Sequence, residues 1–423
     1  HPRPHCVFLS SATPRILDSM SDQRYPDAII KLATAIYKFP CPEISAKKKL
    51  CYEESFKTVG SHLRTVAMMQ KADAQREVLT QALKACNQST MTHDNAINAA
   101  ETYLPRINQV ILSCKVQPEM ARLDEPLFFE WSSGLEKDKK SYKSEAMMYE
   151  MVMTLATLAI GKIGAASDAR NIRDYPLAGR ELKKAAGMIQ CLAEEQLPQW
   201  VSHKSSSDTL GKDLPVEASI GFCEAFQILC LAVGQQMAVA TVLAKPTVPN
   251  YSLLAKLCLG ISEHMELFNS AMNSKAALEK EKIDSDFFTV IAFETQFHRA
   301  LSLYFSARSL WDAHDFGVAI PMMKDAIAAM ETRKTSASKG IPAIKSKTSY
   351  LKFLSDDLKE TRSHMESLLQ SWIKENSTIY YEDVMSVVPR EKILQKGLMM
   401  MKPDPYMFEA VEPLLLSTDF RKG

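Results

Sequence analysis

The sequence predicts a mainly α protein whose helical hairpins stack in series into one elongated body. Three observations carry this. Residues that lose little side-chain freedom in a helix are plentiful, while glycine is scarce, 14 in 423 residues. From about Lys47 onward, apolar residues recur at the three- and four-residue steps of amphipathic helices. Between Tyr304 and Met330, small and large residues (Ala307, Leu310, Gly317, Ala319, Ile320, Ala326) are spaced as in one tetratricopeptide-type hairpin, although no clean repeat of about 34 residues follows. One large helical domain over residues 46–410 is therefore preferred to several small ones. An irregular or β-containing element over 1–45 precedes it, and a tail over 411–423 follows.

The elements follow in order. Val7-Phe8-Leu9 suits a short strand among prolines, and Asp27 to Tyr37 a first helix. Glu53 to Asn87 reads as one long amphipathic run. Thr92-His93-Asp94 offers caps for a helix to Cys114, bent at Pro105. Leu127 to Trp131 is an aromatic, extended plug. Ser144 to Ala166 is apolar nearly all round, so it belongs at the centre. Pro176 to Gln196 is a helix of ordinary amphipathicity, and Lys204 to Gly211 a polar loop. Asp213 caps a long helix to about Lys245. Further helices run over 250–281, 284–313, 316–332 and 348–375.

Several functions are excluded or disfavoured. Net charge is +1, so no global field attracts nucleic acid. The nine cysteines form no CxxC pair, which suits buried thiols in a reducing compartment. Residues 220–243 are long enough to span a bilayer, but Glu224, Gln227, Gln235 and Gln236 interrupt them, so a buried core helix is expected. HExxH, GxSxG and GxGxxG motifs are missing. Glu294 and His298 stand one helical turn apart and read as a surface pair rather than metal ligands. No catalytic residue, metal, cofactor or small-molecule substrate is expected.

Three stretches suggest binding. Arg333, Lys334, Lys339, Lys345 and Lys347 form a basic run without acids. On an anionic membrane each such cation contributes about 1 kcal/mol, although a solvated flexible loop is the preferred reading. Phe226, Leu229 and Val233 lie on one stripe of the long helix with Phe222 and Met237, while Ile228, Leu231, Ala232 and Gln235 turn elsewhere. A helix apolar on two sides is either fully internal or offers one side as a groove, and the residues alone favour the core. Tyr380-Tyr381-Glu382-Asp383 permits either a tyrosine kinase site or an extended strap, and the strap is preferred.

Five segments in order resemble a known family. They are Phe129-Glu130-Trp131, the helix opened by Tyr149-Glu150, and Leu182-Lys183-Lys184-Ala185-Ala186-Gly187-Met188. Asp213-Leu214 with Leu229 to Gln236 comes next, and Ile379-Tyr380-Tyr381-Glu382-Asp383-Val384 followed by Lys402-Pro403 closes the series. Together, over about residues 90–405, they look like the Bro-one domain of ESCRT accessory proteins. Val233-Gly234 and Met385 depart from the family pattern. The resemblance implies a curved helical body with a tetratricopeptide-like core and a small N-terminal β element. It implies an adaptor, cytoplasmic and recruited peripherally to endosomes, whose concave face takes the C-terminal amphipathic helix of an ESCRT-III filament subunit. The docking residues it implies are Phe226, Leu229, Val233 and Met400, with Met399 or Met401 if the register shifts by one. On that basis Leu229→Asp is expected to remove partner binding and spare the fold. The competing expectation is a tetratricopeptide-like scaffold that binds an unrelated peptide, or a membrane through the basic run.

Overall fold

The computed structural model describes residues 25–45, 50–202, 214–332, 340–342 and 349–417. The expected strand at Val7-Phe8-Leu9, the loop at 204–211, Asp213 and the basic run Arg333, Lys334, Lys339, Lys345 and Lys347 lie outside the described residues.

Long helices that follow one another in the chain are neighbours in space. In this way α3 (Leu63–Asn87), α4 (His93–Val116), α5 (Met147–Asn171), α6 (Tyr175–Cys191) and α8 (Ile220–Leu243) pack in series. The series continues through α9 (Tyr251–Lys275), α11 (Ser285–Asp312), α12 (Phe316–Ala329) and α13 (Ser349–Glu375). This is the expected solenoid. Short helices α1 (Asp27–Leu32), α2 (Tyr52–Ser55), α7 (Leu197–Ser202) and α10 (Ala277–Lys282) complete it, and α1 packs against α13.

Sequence-local chemistry sets most boundaries. The side chains of Asn250 and Asp284 accept from Leu253 N and Asp286 N, so they cap α9 and α11 where expected. Two expectations need correcting. The run from Glu53 is not one helix: α2 stops at Ser55 and α3 starts at Leu63. Between them Gly60 N reaches back to the Phe56 carbonyl at 2.6 Å, and a Cβ on Gly60 would sit 2.7 Å from that oxygen. Helix α8 starts at Ile220, with Ser219 rather than Asp213 as its cap. The residues before it form a 3-10 turn, Val216–Ala218, that buries Val216 and Glu217.

The small sheet is antiparallel in the order β1 (Glu43–Ile44), β2 (Phe129–Ser132), β3 (Ser141–Ser144). Only β1 comes from the N-terminal element; the other two strands are the aromatic plug and its return. Trp131 pairs with Ile44 on one side and Tyr142 on the other. Its indole nitrogen donates to Glu150 Oε2 at 2.6 Å, which ties the sheet to α5.

Glu150 is wholly buried near the start of α5. Arg76 of α3 donates to its Oε1 at 2.7 Å, and Tyr103 of α4 to the same oxygen at 3.1 Å. Tyr52 of α2 bonds Tyr103 at 2.7 Å. One carboxylate thus joins four helices and the sheet. Removing it strands a buried guanidinium, a loss of about 3–5 kcal/mol. Glu150→Ala is expected to lower unfolding free energy in denaturant by that amount, whereas a change below about 1 kcal/mol would show the network to be dispensable.

Glu217 is the second buried carboxyl near the sheet. Its Oε1 accepts from Ser133 Oγ at 2.9 Å and Gly134 N at 2.8 Å. Burial pushes its pKa up, from 4.5 to about 7, against the pull of those hydrogen bonds. The folded state therefore holds this proton more tightly than the unfolded chain. The stabilisation is complete below pH 4.5 and is lost as pH rises to about 7, a change of about 3 kcal/mol. Glu217→Gln keeps the acceptor oxygen and is expected to flatten the pH dependence of stability across that interval relative to wild type.

Candidate functional site

The C-terminal segment leaves the last helix and returns across the solenoid. The reversal is built on Asn376, whose side chain accepts from Glu382 N and donates to Glu382 O, with Tyr381 at φ 56°. Tyr380 stacks on Phe316 with centroids 4.0 Å apart, beside the stacked pair Trp311–Trp372. Tyr381 is 75% exposed. The stretch expected as an extended strap begins as a helical turn, Asn376–Tyr380, in which Ile379 points outward; the extended course starts only after Tyr381.

From there residues 382–417 cross the helices in reverse order. Met385 N donates to Gly317 O of α12, and Lys392 pairs with Asp315 at 2.8 Å. Leu398 N donates to Lys256 O of α9. Gln235 of α8 clasps the strap twice, donating to Leu398 O at 2.8 Å and accepting from Met400 N at 2.8 Å. Asp404 N then bonds Lys183 O of α6, and Leu414 N bonds Ser113 Oγ of α4. Residues 411–417, expected as part of a tail, are docked on the body. Gln109 and Gln117 hold their carbonyls, and Leu414 and Leu416 are buried.

Glycines make this close seat possible. A Cβ at Gly317, Gly260 or Gly187 would overlap the strap carbonyls of Asp383, Leu398 and Asp404 respectively. The Met401 methyl group packs over Gly179 and Gly234, where a Cβ would meet it at an ordinary contact distance of 3.6 and 3.5 Å. Each helix crossed by the strap at these points carries a residue without a side chain.

The strap crosses α8 on its outer face, and this settles which apolar stripe is which. Phe226, Leu229 and Val233 are only 4, 4 and 8% exposed. They face inward on a cavity of about 30 Å³ shared with Ile163, Leu182 and Met265. The expectation that they line an open groove is therefore corrected. The sequence pattern shows two apolar stripes but not which is inside, and the stripe bearing the two bulky phenylalanines fills the core. The opposite stripe, Glu224, Ile228, Leu231, Gln235, Ala238 and Val242, advances by threes and fours and is partly exposed except at Gln235, which the strap covers. Met400 stands 63% exposed where its backbone is held by Gln235. Met399 is half-buried, and Met401 turns under the strap. Ile228 and Leu231 are thus left half-buried on the face of α8 whose Gln235 holds the Met400 backbone, whereas the inward stripe is buried. Its signal in the sequence was the alternation of Glu224, Gln227 and Gln235 with these two aliphatic residues.

Glu294 and His298, expected on the surface, are instead buried. Gln236, next to the strap-holding Gln235, donates inward to Glu294 Oε2 at 2.8 Å. Burial pushes the His298 pKa down to about 4 and raises that of Glu294, disfavouring charge on both. Among the described residues no three His, Cys, Asp or Glu side chains converge as metal ligands.

The series of paired helices, the appended three-stranded sheet and the returning strap define a helical scaffold of one known type. The BRO1-like domain family matches residues 58–418, and the chain belongs to that family. Three solved structures share the fold. A Bro1 domain studied as the basis for endosomal targeting superposes with a TM-score of 0.63 at 17% identity, covering 88% of this chain and 92% of that one. The ALIX BRO1–CHMP4C complex gives 0.59 at 15%, covering 88% and 96%. ALIX bound to a viral late-domain peptide gives 0.64 at 16%, covering 88% of this chain and 49% of that longer one. No curated protein sequence matches the chain.

The two stripes of α8 predict opposite responses to charge. Leu229→Asp buries a carboxylate in the core and is expected to cost several kcal/mol in thermal or chemical unfolding. Leu231→Asp, on the outer stripe, is expected to change stability by less than about 1 kcal/mol. The reverse order would show that the stripes have been assigned to the wrong sides.

Proposed function

We propose that this protein is a non-catalytic adaptor of the ESCRT pathway, cytoplasmic and recruited peripherally to endosomes. Its outer α8 surface seats the C-terminal amphipathic helix of an ESCRT-III filament subunit. The observation that carries this is the stripe of Ile228 and Leu231, left partly exposed on the face of α8 whose Gln235 holds the backbone of exposed Met400. A guest helix with anchors at steps of three and four matches a stripe of that spacing. The unbranched methionine side chain adapts to whatever shape those anchors present. The Gln235 clasp fixes Met400 relative to α8, so the surface is formed before the guest arrives. Membership of a family of scaffold domains supports a binding role, and the ALIX BRO1–CHMP4C complex supports a guest of this kind.

Titration of fluorescent C-terminal helices from ESCRT-III subunits tests the proposal. Binding is expected at micromolar strength with little dependence on salt, because apolar anchors dominate. Leu231→Asp is expected to weaken it by about tenfold or more, equivalent to about 1.4 kcal/mol. Affinity that falls steeply with salt, or that ignores Leu231→Asp, would favour a scaffold reading its partner through charge.

A further inference from the structure

The hairpin of α3 and α4 carries a cluster that the adaptor reading does not use. Cys86 lies in the last turn of α3, and His93 opens α4. Cys41, in the segment just before β1, points its thiol at Cys86, with the two sulfurs 3.8 Å apart. His93 Nδ1 meets Asp168 Oδ2 of α5 at 2.6 Å, and the ring lies close enough to Cys86 to favour its thiolate. The imidazole reaches this position because residue 164 of α5 is glycine: a Cβ there would overlap the ring at its Cδ2. Four chemistry-bearing side chains from four segments thus converge at one corner of the fold.

We propose that Cys41 and Cys86 are a peroxide-oxidisable thiol pair, with Cys86 as the attacking sulfur, Cys41 as the resolving one, and His93 and Asp168 positioning the proton.

The two backbones are already locked in place. Asn87, next to Cys86, accepts from Cys41 N at 2.8 Å and donates to Cys41 O at 2.9 Å and to Glu43 Oε1 at 2.7 Å. Both sides of Cys41 are gripped by the residue following its partner, so closing the sulfurs to about 2.05 Å requires little further ordering. Cys41 and Asn87 also line a cleft of about 320 Å³ with Ser132, Ser133 and Gly134, so a molecule as small as hydrogen peroxide can come up to Cys41, one sulfur contact from Cys86. The Cys41 thiol donates to Cys86 and, with His93, lowers the Cys86 pKa in spite of burial, while Cys41 itself is raised. By contrast, Cys223, Cys230 and Cys258 are buried and their thiols are pushed up by desolvation alone or with nearby carboxylates.

The chemistry balances. The Cys86 thiolate attacks one peroxide oxygen; an S–O bond forms, the O–O bond breaks, and the departing hydroxide takes the His93 proton to become water. The Cys41 thiol then attacks the Cys86 sulfenic sulfur. The S–S bond forms, the S–O bond breaks, and the hydroxyl leaves with the Cys41 proton as a second water. Sulfur loses two electrons overall, and one peroxide is reduced to two waters.

The test is graded hydrogen peroxide on the intact protein, followed by alkylation and peptide mapping without reductant. The expected first product is a peptide pair linked through Cys41 and Cys86, lighter by two hydrogens and separated again by dithiothreitol. Cys223, Cys230 and Cys258 should remain reduced when that link forms. In Cys41→Ser, a sulfenic acid trappable by dimedone is expected to accumulate at Cys86. His93→Asn, with its fold checked by circular dichroism, is expected to slow linkage about tenfold through loss of thiolate character. The wild-type map decides the pairing by itself, whatever the variants do. First oxidation at another cysteine, or sulfinate at Cys86 without the link, would overturn it, and an unchanged rate in folded His93→Asn would remove the histidine's role.

Discussion

The architecture depends on the contact between an extended strap and the backs of the helices it crosses. Neighbour-to-neighbour stacking alone joins each helix only to those beside it in the chain. The strap adds ties between elements distant in sequence, since residues 382–417 bond in turn to α12, α9, α8, α6 and α4. A backbone can lie this close to a helix only where side chains are missing. Gly317, Gly260 and Gly187 provide that at the strap carbonyls. Glycine weakens a helix interior by about 0.5–1 kcal/mol relative to alanine, and here the close seat and its hydrogen bonds offset that cost.

Helix α8 shows how one element can serve the core and the surface together. Its inward stripe seals the cavity with Phe226, Leu229 and Val233, while its outward stripe is crossed by the strap at Gln235. Two consecutive glutamines divide the polar work. Gln235 satisfies strap backbone groups on one face, and Gln236 satisfies the buried Glu294 on the other. Among the described residues α8 is the only helix long and apolar enough to cross a membrane. Its packing between α6 and α9 accounts for that apolarity by burial in protein.

The order of helices was legible because caps and periodicity are local. Asn250 and Asp284 announce α9 and α11, and the unbroken apolar surface of α5 announces its central position. The strap was legible only in part, because the stretch from Tyr380 was expected to be extended and the chain first makes a helical turn over Asn376–Tyr380. What could not be read are the long-range choices. Nothing near Asp213 indicates that Ser219 starts α8, since that depends on burying Val216 and Glu217 against the sheet. Nor does periodicity identify which of two apolar stripes is inside; the neighbours Ile163, Leu182 and Met265 decide that from far away in sequence. The docked residues 411–417 escaped notice for the same reason, because Gln109, Ser113 and Gln117 hold them from 303, 301 and 297 positions upstream.

The central claim is that Met400, held outside α8 by Gln235, belongs to a surface waiting for a guest helix. Methionine methyl groups observed by NMR test this most directly, with Met400 assigned by its loss in Met400→Leu. On titration with an ESCRT-III C-terminal helix, the Met400 signal should shift in step with occupancy, while Met237, enclosed in the core, stays near its starting position. A bound helix that leaves Met400 unmoved would contradict the account and place recognition elsewhere on the solenoid.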